Sequence, residues 1–107
     1  MGATLAAFYK RPDGGDEALA TFWQRYSGEH MPLIEKLPGL RGTKVWNVSR
    51  KYAGEDLVAV CYMEFDDMDA LKAAMKSEEM GAAGKNLSDI TSEGMLTLVA
   101  LESDEEV

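Results

Sequence analysis

The chain holds a single histidine, His30, and an imidazole, with an ordinary pKa near ~6.5, is the side chain best suited to passing a proton at neutral pH. His30 is the candidate catalytic residue on that ground. It stands four residues after Tyr26, so a helix running through both carries it on a stripe with Leu19, Phe22, Trp23 and Tyr26. The same geometry suits a core histidine whose nitrogens are satisfied by a neighbouring carbonyl or carboxylate, and both readings stand open. Glu29, its neighbour in the chain, is expected to point elsewhere on the helix. Tyr9, Trp46 and Tyr62 fall on predicted strands, and rings with a polar tip line pockets for small organic substrates as well as filling cores. Together with Tyr26 and with Arg11, a cation beside a Gly-rich turn able to meet an acidic group, they form the candidate substrate-binding set. Cys61 is expected to be buried and inert.

Several chemistries lack their residues. One cysteine and one histidine provide neither a disulfide nor an ordinary structural zinc site. Asp13-Gly14-Gly15-Asp16 has neither the GxGxxG spacing of a dinucleotide turn nor the lysine and hydroxyl of a P-loop, so no nucleotide phosphate is expected to bind. The 19 acidic residues against 11 basic ones leave a net charge of −8, which repels nucleic acid and anionic lipid surfaces. Charged residues interrupt every apolar run short of the ~18 to 20 residues a membrane span needs. Lys10 and Arg11 follow the first apolar run, where an export signal would place basic residues first. The expectation is a cytoplasmic protein with no cofactor, no metal, no membrane and no nucleic acid.

The elements that must position these residues belong to one domain, because 107 residues sustain a single core. Ala3 to Tyr9 reads as a first strand, closed by Pro12-Asp13-Gly14-Gly15. Helix one follows, capped by Asp13 or Asp16, and Gly28 marks its break. Pro32 biases Met31 away from helical dihedrals yet suits the start of another turn, Pro32 to Leu37, stopped by Pro38-Gly39. Thr43 to Lys51, with its interleaved Lys44, Arg50 and Lys51, reads as an edge strand. Leu57 to Phe65 is apolar on both alternating faces and reads as a central one. Asp66 and Asp67 cap a second helix, whose pattern restarts after Ser77 into a helix weakened or broken by Gly81 and Gly84. Met95 to Leu101 is the fourth strand, followed by an acidic tail over 102–107 with the character of a solvated end.

Strand, helix, strand, strand, helix, strand is the order of the α+β ferredoxin-like βαββαβ sandwich, in which the first and third strands are central in a four-stranded antiparallel sheet. Two helices cover one face of such a sheet, and the other face should be polar if it meets water. Here Val58, Val60 and Tyr62, with Leu96 and Leu98 or with Val99 and Leu101, make it apolar. At ~25 cal/mol per Å2 of exposed apolar surface, burial against a second copy is the economical outcome, so a homodimer is expected. Two sheets packed face to face would enclose a barrel-like interior with room for a small apolar ligand.

The run from Tyr26 through Leu40, Tyr-Ser-Gly-Glu-His-Met-Pro-Leu-Ile-Glu-Lys-Leu-Pro-Gly-Leu, resembles the EthD family, which shows a Tyr, then His-x-Pro-Leu, then Lys-x-Pro-Gly-Leu. Tyr9-Lys10-Arg11 and the stretch from Asn86 to Gly94 are similar to it as well. The resemblance implies a small dimeric α/β barrel of ferredoxin-like subunits, named for a role accessory to the oxidative degradation of an ether. It brings no agreed reaction or catalytic set. The leading functional reading is a homodimer that binds a small, mostly apolar organic molecule between sheet and helices and assists its oxidative or reductive conversion, with His30 transferring or holding a proton. Chemistry would then be cofactor-free, substrate-assisted, or dependent on a bound haem or a partner protein, and His30 would be the ligand of such a haem. The alternatives are a non-catalytic binding or accessory protein beside an oxygenase, or cofactor-free isomerase or cyclase chemistry, which rests on fold analogy alone.

Overall fold

Side chains alternate across a strand, and in the first strand the alternation sorts Leu5, Ala7 and Tyr9 from Thr4, Ala6 and Phe8. The computed structural model, which describes residues 2–103, pairs this strand on both sides. Its elements are β1 (Ala3–Lys10), α1 (Gly15–Arg25), a π-helical turn (Tyr26–His30), α2 (Met31–Ile34), β2 (Gly42–Asn47), β3 (Leu57–Phe65), α3 (Met68–Met75), α4 (Glu78–Ile90) and β4 (Leu96–Glu102). The sheet order is β2-β3-β1-β4, antiparallel throughout. This is the ferredoxin-like α+β arrangement that the order of elements predicts, with the lysine-bearing β2 at an edge. Glu102 closes β4 and does not belong to a tail, and residues 104–107 of the expected acidic tail lie outside the described residues.

The register assigns each face. Tyr9 lies opposite Ala59 and Leu96, and Ala7 opposite Cys61 and Leu98, so these residues share the helix-covered side. There Leu5, Tyr9, Cys61, Met63 and Phe65 form one buried cluster with Phe22, Tyr26, Ile34, Leu71, Ala83 and Leu87 of the helical layer. On the other side Phe8 lies opposite Val60, which lies opposite Trp46, while Ala6 lies opposite Tyr62 and Val99. Among the described residues no helix covers this second face, and Trp46, Val99 and Leu101 are exposed on it.

The helical layer departs from the sequence reading at four points. Gly28 does not break the helix. The chain runs helically from Gly15 to Ile34 through the π turn, in which the Met31 amide donates to the Tyr26 carbonyl five residues back. Met31 is helical as well, at φ −59° and ψ −40°, despite preceding Pro32. A proline within a helix removes one amide donor and crowds the carbonyl a turn earlier, and a widened turn just before it accommodates both. Gly81 and Gly84 do not interrupt α4, which is continuous over 13 residues, because Ser77 caps it through its hydroxyl on the Met80 amide at 3.1 Å and a buried Ala83 and Leu87 face anchors it. No aspartate caps α1: Gly14 occupies the cap position at φ 106°, and no side chain caps it. Asp67 does cap α3, accepting from the Ala70 amide at 2.8 Å.

The two kinds of glycine predict opposite outcomes. A Cβ at Gly14 would force a side chain into a left-handed conformation 2.9 Å from the Ala18 Cβ, so Gly14→Ala should lower stability by about 1–2 kcal/mol. At Gly81 a Cβ meets nothing within 4 Å, and Gly81→Ala should raise stability by about 0.5–1 kcal/mol through helix propensity. Urea denaturation of the two variants checks both signs.

Candidate functional site

Phe22, Tyr26, His30 and Ile34 recur at intervals of four and are all buried. At 3.6 residues per turn, each step of four drifts by about 40° around the helix, so three steps would carry the last side chain about 120° off the stripe. The π turn at Tyr26–His30 removes part of that drift by spending extra residues on one turn. It keeps His30 aimed at the sheet, at 3% exposure, under an aromatic stack. The Tyr26 ring lies 5.2 Å from the imidazole, and Tyr9 sits edge-on to Tyr26 at 5.3 Å. Phe22 packs on both tyrosines at 5.4 and 5.3 Å.

The protonation of His30 follows from its partners. Arg25 holds the Glu29 carboxylate with two bonds, Nε to Oε2 at 2.9 Å and Nη2 to Oε1 at 3.1 Å. A carboxylate only accepts, so the part of the Asn86 amide turned toward it is the nitrogen, which donates to Glu29 Oε1 at 3.0 Å. That leaves the Asn86 Oδ1 facing His30 Nδ1 at 3.2 Å, and Nδ1 must carry the hydrogen. The Arg25 guanidinium holds Glu29 below the usual carboxylate range, which keeps the chain ionised at its outer end. Burial lowers the His30 pKa from its ordinary 6.5, opposed in part by the bond to Asn86. At neutral pH the imidazole is therefore uncharged, with Nδ1–H bound to Asn86 and a lone pair on Nε2.

His30 borders a cavity of about 140 Å3 between the helices and the sheet, lined by residues that include Leu5, Tyr9, Met63, Met80 and Leu87. Its open side lies at Gly84 and Ser88 of α4 and Leu98 of β4, which are exposed. Burial raises the pKa of both Tyr9 and Tyr26, so both rings stay neutral phenols, and the Tyr9 hydroxyl donates weakly to that of Tyr26 at 3.4 Å. Cys61 lies beneath them, and burial raises its thiol pKa too, which leaves it a poor nucleophile at neutral pH.

Of the candidate residues, the structure brings Tyr9, Tyr26 and His30 together and places the other three elsewhere. Trp46 and Tyr62 stand on the uncovered face of the sheet, on the far side from the cavity. Arg11 is committed to Asp56, with Nε on Oδ2 at 3.0 Å, at the end of the β3 hairpin. The barrel-like interior expected between two sheets is likewise not where this cavity lies. Three residues of the site escape a reading by linear spacing. Glu29 does point away from the sheet, but it reaches His30 through Asn86, which comes from a helix 56 residues further along. The i, i+4 pair of Arg25 with Glu29 is the one local signal of this network.

A haem does not fit at His30. A cavity of about 140 Å3 is below the ~300–1,000 Å3 of pockets for drug-sized ligands, and neither lysine nor arginine lines it to pair with propionates. Among the described residues no group of three or more histidine, cysteine or acidic side chains is arranged for a metal, and no helix is long and apolar enough to cross a membrane.

Residues 16–89 match the family model of the EthD domain. An ethyl tert-butyl ether D (EthD) family protein of Bacillus halodurans is 33% identical, with 96% of this chain and 99% of that chain covered at a TM-score of 0.84. A dimeric protein of unknown function and ferredoxin-like fold from Bacteroides fragilis shares 23% identity over 95% of this chain and 96% of that one, at a TM-score of 0.67. SnoaB, a cofactor-independent oxygenase from Streptomyces nogalater, shares 13% identity over 99% and 95% of the two chains, at 0.65. No curated protein matches.

The lowered pKa of His30 makes stability depend on pH. An unfolded chain takes up the proton near ~6.5 and the folded one only below that, so protonation favours unfolding. The contribution is complete above pH 6.5 and is lost as pH falls toward the folded value. Urea midpoints measured between pH 8 and 5 should therefore fall more steeply for the wild type than for His30→Asn, and parallel curves would show that His30 is not held neutral.

Proposed function

The chain belongs to the EthD family, and from that premise we propose that it acts as a homodimer that binds a small, mostly apolar organic molecule in the cavity at His30. There Nε2 of the histidine takes a proton from the bound molecule. The observation that carries this reading is the pairing of a locked Nδ1–H with a lone pair on Nε2 at the wall of an apolar cavity. A neutral imidazole held in one tautomer is an acceptor ready before the ligand arrives. Loss of a proton turns the bound molecule into an anion, which dioxygen oxidises more readily than the neutral parent. A base and a shaped cavity are then what the protein contributes, in keeping with an oxidative conversion that needs no cofactor, as the description of SnoaB has it.

The uncovered face supports the dimer. Trp46, 56% exposed, and Leu101, 45% exposed, are costly in water, and the Bacteroides fragilis protein of the same fold is dimeric. Joining two such faces leaves both cavities on the outer, helix-covered sides, so the dimer holds two separate sites. It also gives Trp46 and Tyr62 a task in assembly in place of the substrate contact expected from their residue types.

Native mass spectrometry of the purified protein tests the reading, followed by aerobic incubation of whatever organic molecule it retains. The expected result is a mass near twice 11.7 kDa and conversion of the molecule by the wild type. In folded His30→Gln the rate should fall by about 10²- to 10⁴-fold, the range a positioned general base supplies. Equal rates would remove the proton-accepting role. Binding without conversion by either protein would make the chain a carrier or an accessory to an oxygenase.

A further inference from the structure

Every polar group inside the cavity has its hydrogen committed elsewhere. The His30 Nδ1–H goes to Asn86, the Tyr9 hydroxyl donates to Tyr26, and the Thr91 hydroxyl donates to the Leu87 carbonyl at 2.7 Å. His30, Tyr9 and Thr91 all border the space, and with those hydrogens engaged what each has left to offer a ligand is a lone pair. Ser88, whose hydroxyl is free to rotate, stands at the exposed mouth. Among the described residues no charged side chain lines the cavity, so a carboxylate that passes Ser88 at the mouth would meet only acceptors inside, and an ammonium would be buried with no counter-charge. Size sets a further limit, because an apolar cavity of roughly 150 Å3 takes up a benzene ring, and this one measures about 140 Å3.

We propose that the Arg25–Glu29–Asn86 chain is a positioning device that fixes His30 as a hydrogen-bond acceptor, and that the cavity thereby selects a neutral, single-ring compound carrying a hydroxyl: a phenol in chemical class. The inference rests on the proposed role of the cavity and deepens it. A phenolic hydroxyl is a neutral donor with a pKa of about 10 in water, so it enters uncharged and, being more acidic than an alcohol, gives Nε2 the stronger hydrogen bond. The ring fills the apolar part between Leu5, Met63 and Leu87, and the hydroxyl faces Nε2. Asn86 touches neither the ring nor the reacting atoms and acts only through the tautomer it imposes. Arg25 and Glu29, exposed on the helix surface, add little to stability there. Their consequence is the orientation of the Asn86 amide.

Calorimetric titration of the full chain with phenol, anisole and benzoate tests this. Anisole carries the same ring with no hydrogen to donate, and benzoate carries a charge. Phenol should bind about tenfold more tightly than anisole, the ratio expected of one hydrogen bond to a preorganised acceptor, and benzoate should give no heat. In Asn86→Leu, where Nε2–H becomes available, the ratio of phenol to anisole affinity should fall toward one, an effect that simple loosening of the helix would not produce. If that variant fails to fold, the wild-type series decides alone. Equal or tighter binding of anisole, or binding of benzoate, overturns the inference while leaving the cavity as a ligand site. Failure of all three to bind overturns the cavity reading and this inference with it.

Discussion

An imidazole buried between apolar side chains has to be neutral and has to find a partner for its N–H, and much of this molecule is arranged around that requirement. The partner cannot come from the strip of chain that carries His30, because its neighbours on the same stripe are Tyr26 and Ile34. It comes instead from Asn86 on α4, so the contact between α4 and the π turn is a polar bond placed at the edge of an apolar layer. Asn86 is an ambiguous partner, since an amide can present either end. The Glu29 carboxylate removes the ambiguity, and Arg25 keeps that carboxylate in place. Four residues on two helices thus settle the position of one proton, and what the cavity can recognise follows from it.

The two faces of the sheet divide the aromatic residues between two tasks. Tyr9 and Tyr26 lie under the helices, where burial keeps their phenols protonated and their rings brace His30. Trp46 and Tyr62 lie on the face without helices, beside Phe8, Val60 and Val99, where the area they leave in water favours a second subunit. A single alternation of side chains in β1 and β3 decides which task each ring receives. A register slip by one residue would exchange the two sets, exposing the tyrosines and burying the apolar patch, so the site and the outer face depend on the same pairing.

Most of the architecture is legible in the chain because it follows from local patterns. The apolar run of β3, the Asp67 cap and Lys44 on β2 are enough to place β3 inside the sheet, to start α3 and to put β2 at an edge. What the sequence hides is of two kinds. The π turn leaves a faint trace, the spacing of Phe22, Tyr26, His30 and Ile34 by fours, which a reading by three-and-four does not separate from an ordinary stripe. Gly28 and Pro32 then suggest a break that the widened turn absorbs. The role of Asn86 leaves no local trace, since it depends on how α4 packs against a turn more than fifty residues earlier. Arg11 and Trp46 mislead for a simpler reason. Their residue types suit a ligand, but their elements carry them to an ion pair with Asp56 and to the uncovered face.

Because His30 is the only histidine, nitrogen NMR of 15N-labelled protein reports its ring without ambiguity. At pH 7 and without ligand the spectrum should show a proton on Nδ1 and a bare Nε2 with the shift of an unprotonated ring nitrogen. A proton on Nε2, or an imidazolium with both nitrogens protonated at that pH, would contradict it.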